Sequence, residues 1–142
     1  MTKLLLSLAV VLTAAGLGAG DDADKDLKKL TGTWEEVSHI DDGKAKTADE
    51  LKGLTVVIEA SGKWEAFKDG TSLVKGTGKL DPAKKPKAAD WAIEGSDMVA
   101  KGIYEVDGDT WKHCFALKER PTAFASKEGS EVFYIVLKRV KK

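Results

Sequence analysis

Five turn signals, Asp42-Gly43, Ser61-Gly62, Asp69-Gly70, Asp107-Gly108 and Glu128-Gly129, punctuate the chain and leave room only for short extended segments between them. A small polar or acidic residue followed by glycine, set between alternating or apolar runs, is hairpin chemistry, because glycine accepts the positive φ that a tight connection demands. Eight strands are predicted: Thr33 to Ile40, Leu54 to Ala60, Lys63 to Lys68, Ser72 to Leu80, Ala88 to Ile93, Gly102 to Val106, Thr110 to Ala116 and Val132 to Arg139. Consecutive strands joined by tight turns favour an all-β, up-and-down antiparallel sheet. Eight of them can close on themselves and leave no free edge, enclosing side chains or one small ligand. A two-sheet sandwich is the competing architecture, but it needs long crossovers. Only the stretches Asp81 to Lys87, Glu94 to Lys101 and Leu117 to Glu131 are long here. Two short helices flank the pattern. Leu27 and Leu30 lie three apart before Gly32, and Thr47 with Glu50 has capping-box spacing before Gly53.

The chain opens with Met1-Thr2-Lys3, runs uncharged from Leu4 to Leu17 and through Gly18, Ala19 and Gly20, then steps to Asp21, Asp22 and Asp24. A basic start, an apolar run shorter than a bilayer span and small residues before the charge step spell a cleaved secretory signal peptide over residues 1–20. Residues 21–142 are then one mature domain, secreted or periplasmic, with no membrane span left after cleavage. An uncleaved anchor is the rival reading. Cys114 is the only cysteine and lies far from the cleavage point, so the chain is not a lipoprotein and has no intramolecular disulfide. Removing Lys3 from 23 basic residues leaves 22 against 23 acidic ones, which gives no electrostatic case for nucleic acid. The domain is large enough to bury a core without metal or cross-links, and a monomer is expected.

The first strand opens with Gly32-Thr33-Trp34, directly after the first short helix, and the last ends at Arg139. This resembles the Gly-x-Trp signature of the lipocalin and wider calycin barrels. The resemblance implies a glycine that lets the entering chain pass close, a tryptophan that plugs one barrel end and a late arginine stacked on it. Further stretches extend it: Leu80-Asp81-Pro82, Gly102-Ile103-Tyr104-Glu105-Val106-Asp107-Gly108, Cys114-Phe115-Ala116 and Arg120-Pro121-Thr122. In that order they resemble a family of small exported lipocalin-like domains abundant in planctomycete bacteria, whose activity is unassigned. One departure stands out. Glu36 shares a face with Trp34 and Ser38, so either a carboxylate enters the barrel or a bulge turns it outward.

Strand parity sorts the remaining chemistry. His113 shares its face with Trp111 and Phe115, which reads as the interior, whereas its neighbour Cys114 points the other way, so the two cannot ligate one ion. His113 is expected as a packed core residue, with ligand contact or haem ligation as the alternative. Cys114 reads as a packing thiol, and His39, beside Asp41 and Asp42, as a surface histidine. Arg120 and Phe124 lie in the longest loop. They suit either a lid over the barrel mouth or, for Arg120, an ion pair that braces the crossover. No nucleophile elbow, phosphate loop or metal motif is present, so no catalytic residue, metal or cofactor is assigned.

The expectation is a binding module for a small apolar or amphipathic molecule, its site formed by Trp64, Trp91, Tyr104, Trp111, His113, Phe115, Arg120, Phe124 and Tyr134. Gly32, Trp34 and Arg139 serve structure. The alternative is a non-catalytic interaction domain of the cell envelope with a solid barrel core and an unknown protein partner.

Overall fold

A computed structural model of the protein describes residues 22–141. The signal peptide expected over residues 1–20 lies outside the described residues. Helix α1 covers 22–30. Strand β1 (Gly32–Asp41) turns into the two-residue strand β2 (Lys44–Ala45), followed by helix α2 (Ala48–Leu51). Seven further strands complete the chain: β3 (Leu54–Ile58), β4 (Lys63–Lys68), β5 (Thr71–Asp81), β6 (Ala88–Ile93), β7 (Val99–Asp107), β8 (Thr110–Ala116) and β9 (Phe133–Arg139). No helix among the described residues is long and apolar enough to cross a membrane.

Each strand from β3 to β9 pairs antiparallel with the next, β1 pairs with β3, and β1 also pairs with β9. Eight strands therefore close into an antiparallel barrel, with β2 as a small ribbon continuing β1 beyond the rim. All eight predicted strands are found. β7 begins earlier than predicted, at Val99, which shortens the connection before it to 94–98. Turn chemistry explains the closeness of the match. In the β1–β2 and β4–β5 hairpins both central residues have positive φ, 50° and 81° at Asp42 and Gly43, and 51° and 81° at Asp69 and Gly70. These are type I′ turns, whose twist matches that of the strands they join. The predicted capping box is also formed, with Thr47 Oγ1 accepting from the Glu50 amide and the Glu50 carboxylate accepting from the Thr47 amide.

One barrel end is closed by α1. Leu30 and Trp34 are fully buried there, and Trp34 Nε1 donates to the Leu30 carbonyl at 2.8 Å. The Arg139 guanidinium sits 4.3 Å from the Trp34 ring centroid and donates to the carbonyls of Thr31 and Lys29, stacking on the plug while capping the C-terminal turn of α1. Gly32, at φ 134°, leaves the space this needs, since a Cβ there would stand 3.0 Å from Arg139 Nη1. The helix is pinned a second time by the buried Asp26, which accepts from the Tyr104 hydroxyl at 2.7 Å and Lys87 Nζ at 2.9 Å. Burial works against the Asp26 charge, but these two donors outweigh it and hold the carboxyl below its ordinary range.

The opposite end is the mouth, where Lys46, Glu50 of α2 and Lys68 reach the interior. The long segment 117–132 does not cover it. Instead the segment lies along the outer wall: Arg120 donates to the carbonyls of Ala89 and Gly102 and pairs with Asp90 at 2.7 Å. Phe124 meets Tyr134 at 6.1 Å between centroids, and the Ala123 and Ala125 carbonyls receive Cys114 Sγ. Cys114 is thus buried beneath this segment, and burial pushes its thiol up in pKa.

Candidate functional site

Alternation alone decides which side chains enter a barrel, and β1 breaks it once. The β1–β9 register shifts between Glu36 and Ser38: Glu36 lies opposite Leu137, but Ser38 lies opposite Val136 and His39 opposite Ile135. Val37 is the extra residue of a β-bulge, and it resets parity. Trp34 and Glu36 face inward before it and His39 faces inward after it. The bulge therefore leaves Glu36 inside and turns His39 in as well, which corrects the sequence reading of His39 as a surface residue. Cross-strand rows place the consequence: Glu36, Leu137 and Trp111 form one row, and His39, Ile135 and His113 the next.

Between these rows and the mouth lies an open-ended cavity of about 590 Å³. Its wall is mainly apolar, with an aromatic side from β4, β6 and β8 and an aliphatic side that includes Val56, Ile58 and Ala66. The aromatic side is continuous. Trp64 meets Trp91 edge-on at 6.3 Å, Trp91 meets Trp111 at 5.9 Å and His113 at 5.3 Å, and His113 stacks on Phe115 at 4.5 Å. Gly78 makes the Trp91 position possible, because a Cβ there would come within 2.4 Å of the indole. Burial, and secondarily the nearby His39, push His113 down to about 3, so its imidazole is neutral at physiological pH.

Two polar features interrupt this surface. Glu36, whose side chain is 8% exposed, and His39, 12% exposed, share a 2.6 Å hydrogen bond through His39 Nδ1. Among the described residues, five buried nitrogens have no protein partner: Nε1 of Trp64, Trp91 and Trp111, Nε2 of His39 and Nδ1 of His113. All five belong to residues that line the cavity. Buried donors and acceptors are paired in the great majority of cases, so a cluster of orphans within one cavity is informative.

Of the residues expected to form the site, the structure brings Trp64, Trp91, Trp111, His113 and Phe115 together on the cavity wall. It does not bring the other four there. Tyr104 faces inward but is spent at the closed end on Asp26, and burial, followed by that carboxylate, pushes its phenol up in pKa. Arg120, Phe124 and Tyr134 lie on the outer wall, where Arg120 pairs with Asp90 as a brace rather than a lid. Glu36, which the sequence left open between entering the barrel and turning outward, lines the cavity; the residues missed include His39, together with Lys46, Glu50, Leu54 and Lys68 toward the rim. The capping box was the available signal for Glu50, since it places α2 immediately before β3.

A second concavity of about 510 Å³ lies where β4 and β5 meet β6, with Glu59, Lys63, Glu65, Lys75 and Glu94 around it. Exposed charges of both signs, including the Lys75–Glu94 pair at 3.5 Å, mark it as solvated surface, and the interior cavity is the candidate site. Among the described residues no three His, Cys, Asp or Glu side chains converge to hold a metal ion. Comparison of the chain with protein-family models, with curated proteins and with solved structures finds no match.

Proposed function

We propose that the barrel is an extracytoplasmic binding module that holds one small apolar or amphipathic molecule in its cavity, and that it belongs with the small exported lipocalin-like domains its motifs resemble. One contrast among the four tryptophans carries the binding reading. Trp34, at the closed end, has its indole N–H satisfied by Leu30, whereas Trp64, Trp91 and Trp111, which line the cavity, have theirs unpaired. A buried N–H left without a partner costs about 1–3 kcal/mol, and a wall that keeps three of them is arranged for something that enters. The volume supports the same reading, since about 590 Å³ falls within the roughly 300–1,000 Å³ of small-molecule sites. Space of this size also weighs against a barrel whose core is solid.

Two measurements test the proposal. Native mass spectrometry of protein purified from its own source is expected to show a retained small molecule that leaves on mild unfolding. The neutral probe N-phenylnaphthylamine is expected to gain fluorescence on binding the emptied protein, and Ala66→Trp, which fills the cavity from β4, to abolish that gain while circular dichroism stays unchanged. A wild-type protein that neither retains a molecule nor takes up the probe would sink the proposal, as would undiminished uptake by Ala66→Trp.

A further inference from the structure

The groups that set the sign of charge inside the barrel are few. Among the described residues, four charged side chains line the cavity, Glu36, Lys46, Glu50 and Lys68, together with the two histidines. Three of these six are otherwise engaged or neutral. Lys68 Nζ donates to the backbone carbonyls of Glu50 and Lys52, the Glu50 carboxylate closes the capping box, and His113 is neutral. Lys46 stands at the rim, one residue beyond β2 and within electrostatic reach of Glu50. That leaves Glu36 and its partner His39 as the polar pair deep in the wall, Glu36 in the Trp111 row with Leu137 between them and His39 in the next row.

The pair is directional. A carboxylate can only accept, so a neutral His39 donates through Nδ1 and presents Nε2 as a bare lone pair. With the imidazole in that form, the unpartnered nitrogen is an acceptor beside the carboxylate, in a cavity walled by indoles. An ammonium group meets both polar needs at once: it donates to the imidazole nitrogen and it offsets the carboxylate. An anionic head would instead be desolvated beside a buried carboxylate. The indole N–H groups are neutral dipoles that admit acceptor atoms along the ligand's body without deciding its charge.

We infer that the cavity selects an amphipathic amine, its apolar body against the aromatic wall and its protonated amino group against Glu36 and His39. The inference rests on the ligand-binding reading above and adds the class of ligand to it. It predicts discrimination among molecules that share one apolar body and differ only in the head.

Isothermal titration of the purified protein at neutral pH with decylamine, decanol and decanoate tests this. Decylamine is expected to bind at least about tenfold tighter than decanol, and decanoate weakest, each tenfold step corresponding to about 1.4 kcal/mol. Glu36→Gln should erase the preference for the amine, and an unchanged circular dichroism spectrum reports that the variant is folded. His39→Gln, which keeps the carboxylate, should retain the preference, and Lys46→Ala should strengthen amine binding. Equal or tighter binding of decanoate, or an amine preference that survives Glu36→Gln, overturns the inference. Binding of all three amphiphiles without discrimination overturns the amine alone and spares the binding module. If none of the three binds, both readings fall.

Discussion

His113 and His39 carry the same ring into the same cavity, yet only one of them was legible. β8 has no irregularity, so simple alternation put His113 with Trp111 and Phe115, and it lies there. In β1 one additional residue, Val37, inverts the parity of everything after it; Glu36 on the Trp34 face raised a bulge as one of two options, but nothing in the string Trp34-Glu35-Glu36-Val37-Ser38 says that the side chain it turns inward is His39. The buried state of His113 has a measurable consequence. Its folded-state pKa of about 3 lies below the ordinary 6.5, so between those values the unfolded chain binds one more proton than the folded one. Stability should therefore rise with pH through that window, by up to about 1.4 kcal/mol per unit, and flatten above it. His113→Phe keeps the stack on Phe115 but removes the titration. Denaturant melts at pH values just above the carboxylate range should show a shallower slope in this variant, and an unchanged slope would mean that His113 is charged or exposed.

Among the elements, hairpins were legible and long connections were not, for a physical reason. A two-residue turn is specified by the φ values its own residues tolerate, so Asp69-Gly70 declares itself locally. The course of residues 117–132 is set by contacts with strands far away in sequence: Arg120 reaches Ala89 and Gly102, and Phe124 meets Tyr134. An aromatic and an arginine in a long loop read equally well as a lid or as a brace. The same holds for α1, whose Leu27 and Leu30 were evident but whose anchor, Asp26 to Tyr104, spans 78 residues. The brace makes a prediction that the lid does not. Arg120→Ala loses an ion pair and two carbonyl contacts, and it should lower stability by about 1–3 kcal/mol in urea melts while leaving the affinity for N-phenylnaphthylamine unchanged. A drop in affinity at unchanged stability would return Arg120 to the mouth.

Across the whole molecule, stability and binding separate along the barrel axis. The closed end is satisfied in detail: Trp34 is bonded to Leu30, Arg139 is stacked and bonded, and Asp26 is held by two donors. The interior toward the mouth holds the five unpaired nitrogens and the Glu36–His39 pair. Buried ionisable pairs are weak contributors to folding, and replacing one with apolar residues of similar size is often neutral or stabilising by about 1–4 kcal/mol. If the pair is kept for a ligand, the double variant Glu36→Leu/His39→Leu should melt at a higher temperature than the wild type. It should still take up decanol, and it should no longer distinguish decylamine from it. Trp34→Ala, by contrast, should lose about 3–5 kcal/mol, because a large plug is removed from a packed end that has no ligand to replace it. Differential scanning calorimetry of the two variants decides the matter. A double variant that is markedly destabilised would show that Glu36 and His39 hold the barrel together, and their placement in the cavity would then need no ligand to explain it.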